Sequence, residues 1–207
     1  MGTYWRNTPP GLAFLWEQDN ALPARWHRRG EGPAQYLADT PSGAWAEFLR
    51  HEEIVDPDDV VGLARDLWAI EVADAVVDAA TSIEGDDHVL RGGIESYPAC
   101  QELAAAARAD GATAVSAPSA ALADGEAAGW RVEHGLVRAP AAEGRVVVLY
   151  GRRPELVAHK AVAAGHPPPE LVTVTRPLHA RVPPRGRKGR RPATGRTRSR
   201  PPATAGG

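Results

Sequence analysis

After Glu170 the chain contains no further acidic residue, and from Arg176 onward ten basic side chains sit mostly among Pro, Gly, Ala, Thr and Ser without apolar spacing. Such a segment cannot bury enough surface to offset the entropy of ordering it. Folding is therefore expected over residues 1–178, with residues 179–207 as a basic, disordered tail. The folding part is long enough for one ordinary domain with a real core and hardly for two. A net charge of −2 hides the asymmetry: residues 1–175 carry 14 basic against 26 acidic side chains, a balance of −12, and the remainder carries +10. Six tryptophans, at positions 5, 16, 26, 45, 68 and 130, all lie in the acidic body and argue for a packed core there.

Cys100 is the single cysteine, which excludes an intramolecular disulfide and any multi-cysteine zinc site. The first residues, Met1 to Arg6, lack the basic-then-apolar order of a secretory signal, and no run of eighteen apolar residues occurs. The expected location is the cytoplasm, with no membrane contact. His51-Glu52-Glu53-Ile54-Val55 begins like a zinc-protease helix but has Val55 where the second histidine would stand, so no metal site is expected. No Gly-x-Gly-x-x-Gly occurs, so a dinucleotide would bind outside a Rossmann framework.

Thr40-Pro41 is a helix-start signal, since Thr can cap free amides and Pro loses no hydrogen bond in the first turn. The spacing predicts a helix over 41–53 with Trp45, Phe48 and Leu49 as its buried stripe. A second helix is predicted to open at Ser96-Tyr97-Pro98 and run through 99–109, ended by Gly111 in a left-handed conformation. Strands are expected at 67–72, 113–116, 145–150 and 170–175. Strands interleaved with a few helices argue for a mixed α/β domain rather than a bundle or sandwich.

Between Arg25 and Glu47 a guanidinium, the phenol of Tyr36 and a carboxylate follow one another about every ten residues, and Pro118-Ser119-Ala120 comes later. Each alone has a plain reading. Arg25 could be a surface charge beside a packed indole, Tyr36 a strand residue in the core, and Ser119 a turn residue. Glu47 lies roughly 160° from the centre of the apolar stripe, at ~100° per residue, and would be solvated. Ser116 competes with Ser119 for any role in this region.

The joint order is more telling. Ala24-Arg25-Trp26-His27-Arg28-Arg29-Gly30, then Gln35-Tyr36-Leu37-Ala38, then Pro41 to Leu49 with Glu47 inside, resembles the RES family, named for its Arg, Glu and Ser. Its members are bacterial enzymes that destroy NAD, often as the toxin of a pair with an Xre-type antitoxin. The resemblance implies a compact α+β fold, ADP-ribosyltransferase-like, with a mixed sheet, flanking helices and an NAD cleft. It implies NAD as substrate with no cofactor, cleaved at the bond between nicotinamide and ribose, with water or phosphate as acceptor. In that reading Glu47 stabilises the positive charge developing on the ribose, and Arg25 grips the pyrophosphate as a planar, bidentate cation. Tyr36 would stack on the nicotinamide or bond the ribose, and Ser119 would hold the carboxamide or ribose hydroxyls. His27 stands where an asparagine is common in the family.

Two other functions stay open on the sequence. The same fold could transfer ADP-ribose to a protein. Alternatively, the tail, with Arg185-Gly186-Arg187-Lys188-Gly189-Arg190-Arg191, could neutralise nucleic-acid phosphates, weakly and without sequence preference because no aromatic residue is interleaved. A separate Xre-type antitoxin is the protein partner the resemblance implies, and a homodimer is left open.

Overall fold

The structure, a computed structural model, describes residues 1–179 apart from 16, 20, 21, 133–135 and 143, and for 128–142 its backbone alone is described. The expected tail lies, after His179, outside the described residues. Nine strands and five helices follow in chain order among the described residues: β1 Gly2–Thr8, β2 Ala34–Ala38, α1 Pro41–His51, β3 Arg65–Val72, α2 Asp74–Asp78, β4 Thr81–Ser82, α3 Asp87–Leu90, α4 Tyr97–Ala109, β5 Ala114–Pro118, β6 Ala127–Val132, β7 Leu136–Ala142, β8 Arg145–Tyr150, β9 Val157–Gly165 and α5 Leu171–Val174. Seven strands form one mixed sheet in the order β4-β5-β8-β2-β1-β3-β9, and β6 and β7 form a separate hairpin. Among the described residues β4 and β5 are the one parallel pair. The fold is α+β, as expected.

Strand alternation sorts the core. In β8, Val146 and Val148 join Val115 and Ala117 under Cys100, Ala104 and Ala107 of α4, whereas Val147 and Leu149 join Leu37, Ile70 and Val72 on the opposite face. All four β8 residues are buried because the sheet is covered on both sides at that strand. A third cluster gathers Trp45, Phe48 and Leu49 of α1 with Leu67, Leu122, Leu171 and Val172.

The strand and helix starts follow the sequence closely. Thr40 Oγ1 accepts the Gly43 amide at 3.1 Å and Pro41 takes the first turn of α1. Gly111 ends α4 at φ +95°, a conformation that places the Ala112 amide on the Ala107 carbonyl. Ser96 does not cap α4; its hydroxyl donates to the Gly93 carbonyl instead.

The strand expected at 170–175 is a correction. Pro167 to Pro169 supply carbonyls but no amides, and the Leu171 and Val172 amides turn back onto the Pro168 and Pro169 carbonyls. The Thr173 and Thr175 hydroxyls bond Glu170 and Leu171 carbonyls in the same helical sense, giving α5. Leu171 and Val172, adjacent in sequence, are therefore both buried against α1, which alternation would forbid.

One buried acid ties three segments together. The Asp66 carboxylate meets Lys160 Nζ at 2.6 Å and accepts the amides of Ala164 and Gly11. The Lys160 bond first, then the two amides, hold its pKa at about 2, below the ordinary 3.8. A depressed carboxylate contributes stability above the unfolded pKa and loses it as pH falls through the folded value. Asp66→Asn is expected to lower Tm by several degrees at pH 7, with the gap to wild type closing between about pH 4 and pH 2. Parallel melting curves whose gap does not change with pH would rule this out.

Candidate active site

β1 and β2 share a single register pair, Trp5 with Ala38, and separate beyond it. A cavity of about 280 Å³ opens beside that split. Its walls come from β1, the 24–26 segment, β2, α1, the start of β3, Tyr97, and the end of β5. Arg6, Arg25, Arg50 and Arg65 line it with cationic residues, against the carboxylates of Glu47 and Glu52.

Glu47 lies on this wall, not on a solvated face. Every other residue of α1 from Ser42 to Arg50 is buried, because the side away from the Trp45 stripe is covered by the 118–122 turn and the 91–93 loop. Glu47 fills the one sector left, with a side chain 27% exposed. Ser119 Oγ donates to its Oε1 at 3.2 Å, and His51 Nε2 stands 4.0 Å from Oε2.

Ser119 is 3% exposed and sits behind Glu47; Pro118 and Ala120, not Ser119, border the cavity. Its Oγ also accepts the amides of Ala121 and Leu122 at 3.2 and 3.3 Å. With its lone pairs facing those amides, the hydroxyl hydrogen points at Glu47. Ser116 turns elsewhere and accepts from Arg145 Nε at 2.9 Å.

Arg25 is 7% exposed. Its Nη1 reaches the Val89 and Leu90 carbonyls and Ser96 Oγ, its Nη2 the Gly92 carbonyl, and its Cζ stands 4.9 Å from the Tyr97 ring centroid. Arg50 donates to the same Gly92 carbonyl and to those of Ala120 and Arg176. Close backbone approach requires glycines in this loop: a Cβ on Gly92 would collide with the His88 carbonyl, and one on Gly93 with that of Leu178.

Tyr36 presents its ring to the cavity while its hydroxyl is tied back to the 24–27 segment. It accepts the Trp26 amide at 2.9 Å and lies 2.9 Å from His27 Nδ1. Burial pushes the Tyr36 phenol well above its ordinary pKa, and burial also lowers that of His27.

Glu47, Arg25 and Tyr36 thus share one cavity, with Ser119 bonded to Glu47 from behind. The arrangement offers a positioned carboxylate, a flat aromatic wall and a cationic surround. Among the described residues no group of three or more His, Cys, Asp or Glu is placed to hold a metal. Nor, among them, is any helix long and apolar enough to cross a membrane.

The family model of the RES domain matches residues 5–168. The chain belongs to the RES domain family. A curated Mycobacterium tuberculosis protein named "Probable NAD(+) phosphorylase" is 34% identical to this RES domain over 128 residues, 58% of this chain and 60% of that protein. The alignment therefore spans somewhat less than two thirds of the relative's length. One chain of the crystal structure of the M. tuberculosis MbcT–MbcA toxin–antitoxin complex shares the fold, with a TM-score of 0.51 at 17% identity, over 83% of this chain and 87% of that one.

Sequence reasoning missed Arg50 and Arg65 of this RES domain. Arg50 stands three residues after Glu47, hence on a neighbouring helical face, and that spacing was the available signal. Nothing local marks Arg65, which reaches the cavity because β1 pairs with β3 along its whole length. The geometry behind Glu47 also carries an expectation. In Ser119→Ala the carboxylate loses its orienting donor, so kcat should fall about 10–100-fold with KM little changed. Steady-state kinetics with unchanged kcat would remove Ser119 from the site.

Proposed function

We propose that this protein cleaves the bond between nicotinamide and ribose in NAD, passing the ADP-ribosyl group to water or inorganic phosphate. The observation that carries this reading is the Glu47 carboxylate, oriented by Ser119 within a cavity bordered by Arg25, Arg50 and Arg65. As the bond lengthens, positive charge builds on the ribose and nicotinamide leaves as a neutral base. A fixed carboxylate beside that charge stabilises it and can orient the incoming oxygen. The aromatic ring of Tyr36 gives the departing nicotinamide a stacking face, and the cationic surround suits a dinucleotide with two phosphates. Arg25 keeps the 89–96 wall in place through the Val89, Leu90, Gly92 and Ser96 bonds.

Membership of the RES domain family supports the reading, and the name of the M. tuberculosis relative favours phosphate as acceptor. A protein that depletes NAD in a cytoplasm needs restraint, and the toxin–antitoxin complex that shares the fold supports a separate antitoxin chain as partner. The purified protein, incubated with NAD with and without phosphate, is expected to release nicotinamide, with ADP-ribose formed in water and its 1″-phosphate ester when phosphate is present. Absence of nicotinamide release under both conditions ends the proposal. Label from NAD appearing on a protein would replace it with ADP-ribosyl transfer.

A further inference from the structure

Arg65 opens β3 beside the cavity and is held in a way the other cavity arginines are not. Its Nε and Nη2 both donate to Asn7 Oδ1, at 3.2 and 2.9 Å. Asn7 is fixed in turn by its own Nδ2, which donates to the Ala44 carbonyl of α1 at 2.7 Å. The Arg65 Cζ lies 4.6 Å from the centroid of the Phe48 ring. One edge and one face of the guanidinium are thereby occupied, which fixes its plane before any ligand arrives. No carboxylate is hydrogen-bonded to it among the described residues; burial lowers its pKa, and Glu52 opposes this only through space.

The other arginines are differently engaged. Arg25 and Arg50 direct their terminal nitrogens to carbonyl oxygens in the wall. Arg6, which also borders the cavity, directs its Nη1 to Gln35 on β2 and has neither an asparagine clamp nor an aromatic ring against its guanidinium among the described residues. Arg65 keeps Nη1 without a protein partner among the described residues, next to the stretch of α1 that holds Glu47 and Phe48.

We propose that Arg65, set by Asn7 and Phe48, is the phosphate contact of this cavity and recognises the pyrophosphate of the dinucleotide. The inference rests on the NAD-cleaving reading and divides the cationic work that the family resemblance gave to Arg25 alone. Glu47 and Arg65 border the same cavity, so a ribose placed at the Glu47 carboxylate can extend its phosphate-bearing C5′ side across that cavity toward the guanidinium over Phe48.

The test compares wild type with Arg65→Met on NAD and on nicotinamide riboside, which has the same scissile bond and no phosphate. The variant is expected to lose about 10–100-fold in kcat/KM on NAD, mainly through KM, and to match wild type on the riboside. Equal losses on both substrates, or none on either, overturn the inference while leaving NAD cleavage intact. Inorganic pyrophosphate supplies a readout independent of catalysis: it should raise the Tm of wild type and not that of Arg65→Met. If wild type fails to cleave NAD yet shows this Arg65-dependent protection, the anion site stands and the enzymatic reading falls. If pyrophosphate protects neither protein or both equally, Arg65 is not the phosphate contact.

Discussion

Glu47→Gln is expected to release nicotinamide from NAD at least ~10²–10³ times more slowly than wild type while melting at nearly the same temperature. The two halves of that expectation come from one geometry. Glutamine keeps an oxygen where Oε1 now accepts from Ser119, so the bond behind the side chain survives. The side chain is 27% exposed and, among the described residues, hydrogen-bonds no buried group other than Ser119, so its charge does little for the fold. What disappears is the negative charge facing the ribose, and an electrostatic partner that acts in the transition state appears in kcat, not in KM.

Glu47→Asp separates this account from a simple requirement for a carboxylate. The charge is retained, but one methylene fewer draws it back by roughly 1.5 Å. A misplacement of that order costs about 10²-fold when a group must meet a developing charge. Nicotinamide release, measured on protein confirmed as folded by its melting curve, decides both substitutions. A glutamine variant retaining more than about a tenth of wild-type activity would remove Glu47 from the chemistry.

The contrast between Glu47 and its neighbours explains how far the sequence could be read. Local chemistry was legible wherever it acts within a few residues: the Thr40-Pro41 start of α1, the Gly111 end of α4 and the apolar run of β8 all appear where expected. Periodicity also located the stripe of α1, yet it implied a solvated Glu47, because a stripe marks the side facing the main core and says nothing of what covers the other side. The 118–122 turn and the 91–93 loop, whose Ala120 and Gly92 carbonyls lie 70 and 42 residues along the chain from Arg50, supply that cover. β1 was not expected from its own residues, and the alternation of Leu171 to Thr175 imitated a strand that three prolines convert into a helical turn. The family resemblance brought Arg25, Tyr36, Glu47 and Ser119 together on one page; only the fold shows three of them around a cavity and Ser119 behind it.

Arg50 should carry the largest structural effect of any single side chain near the site. It is 2% exposed, and its guanidinium donates to the carbonyls of Ala120, Arg176 and Gly92, three segments far apart in sequence. Burial lowers its pKa, and Glu47, one turn earlier on α1, is the strongest influence in the opposite direction. Carbonyl dipoles, not a bonded carboxylate, therefore satisfy this charge. In Arg50→Ala the Gly92 oxygen retains Arg25, but the Ala120 and Arg176 oxygens lose a buried donor. At ~1–3 kcal/mol for each orphaned group, together with the void left behind, the loss should be on the order of 3–5 kcal/mol, a large share of the ~5–15 kcal/mol typical of a domain. Arg50→Lys retains the charge but cannot point at three separated oxygens, so it should recover part of the loss and not all. The Ala120 carbonyl adjoins Ser119, so when Arg50 releases it the hydroxyl behind Glu47 loses its alignment as well. Activity measured well below the melting point should then fall in Arg50→Ala even while the protein is folded, with kcat affected more than KM. Denaturant unfolding that places Arg50→Ala within about 1 kcal/mol of wild type would show that the three carbonyls do not depend on it.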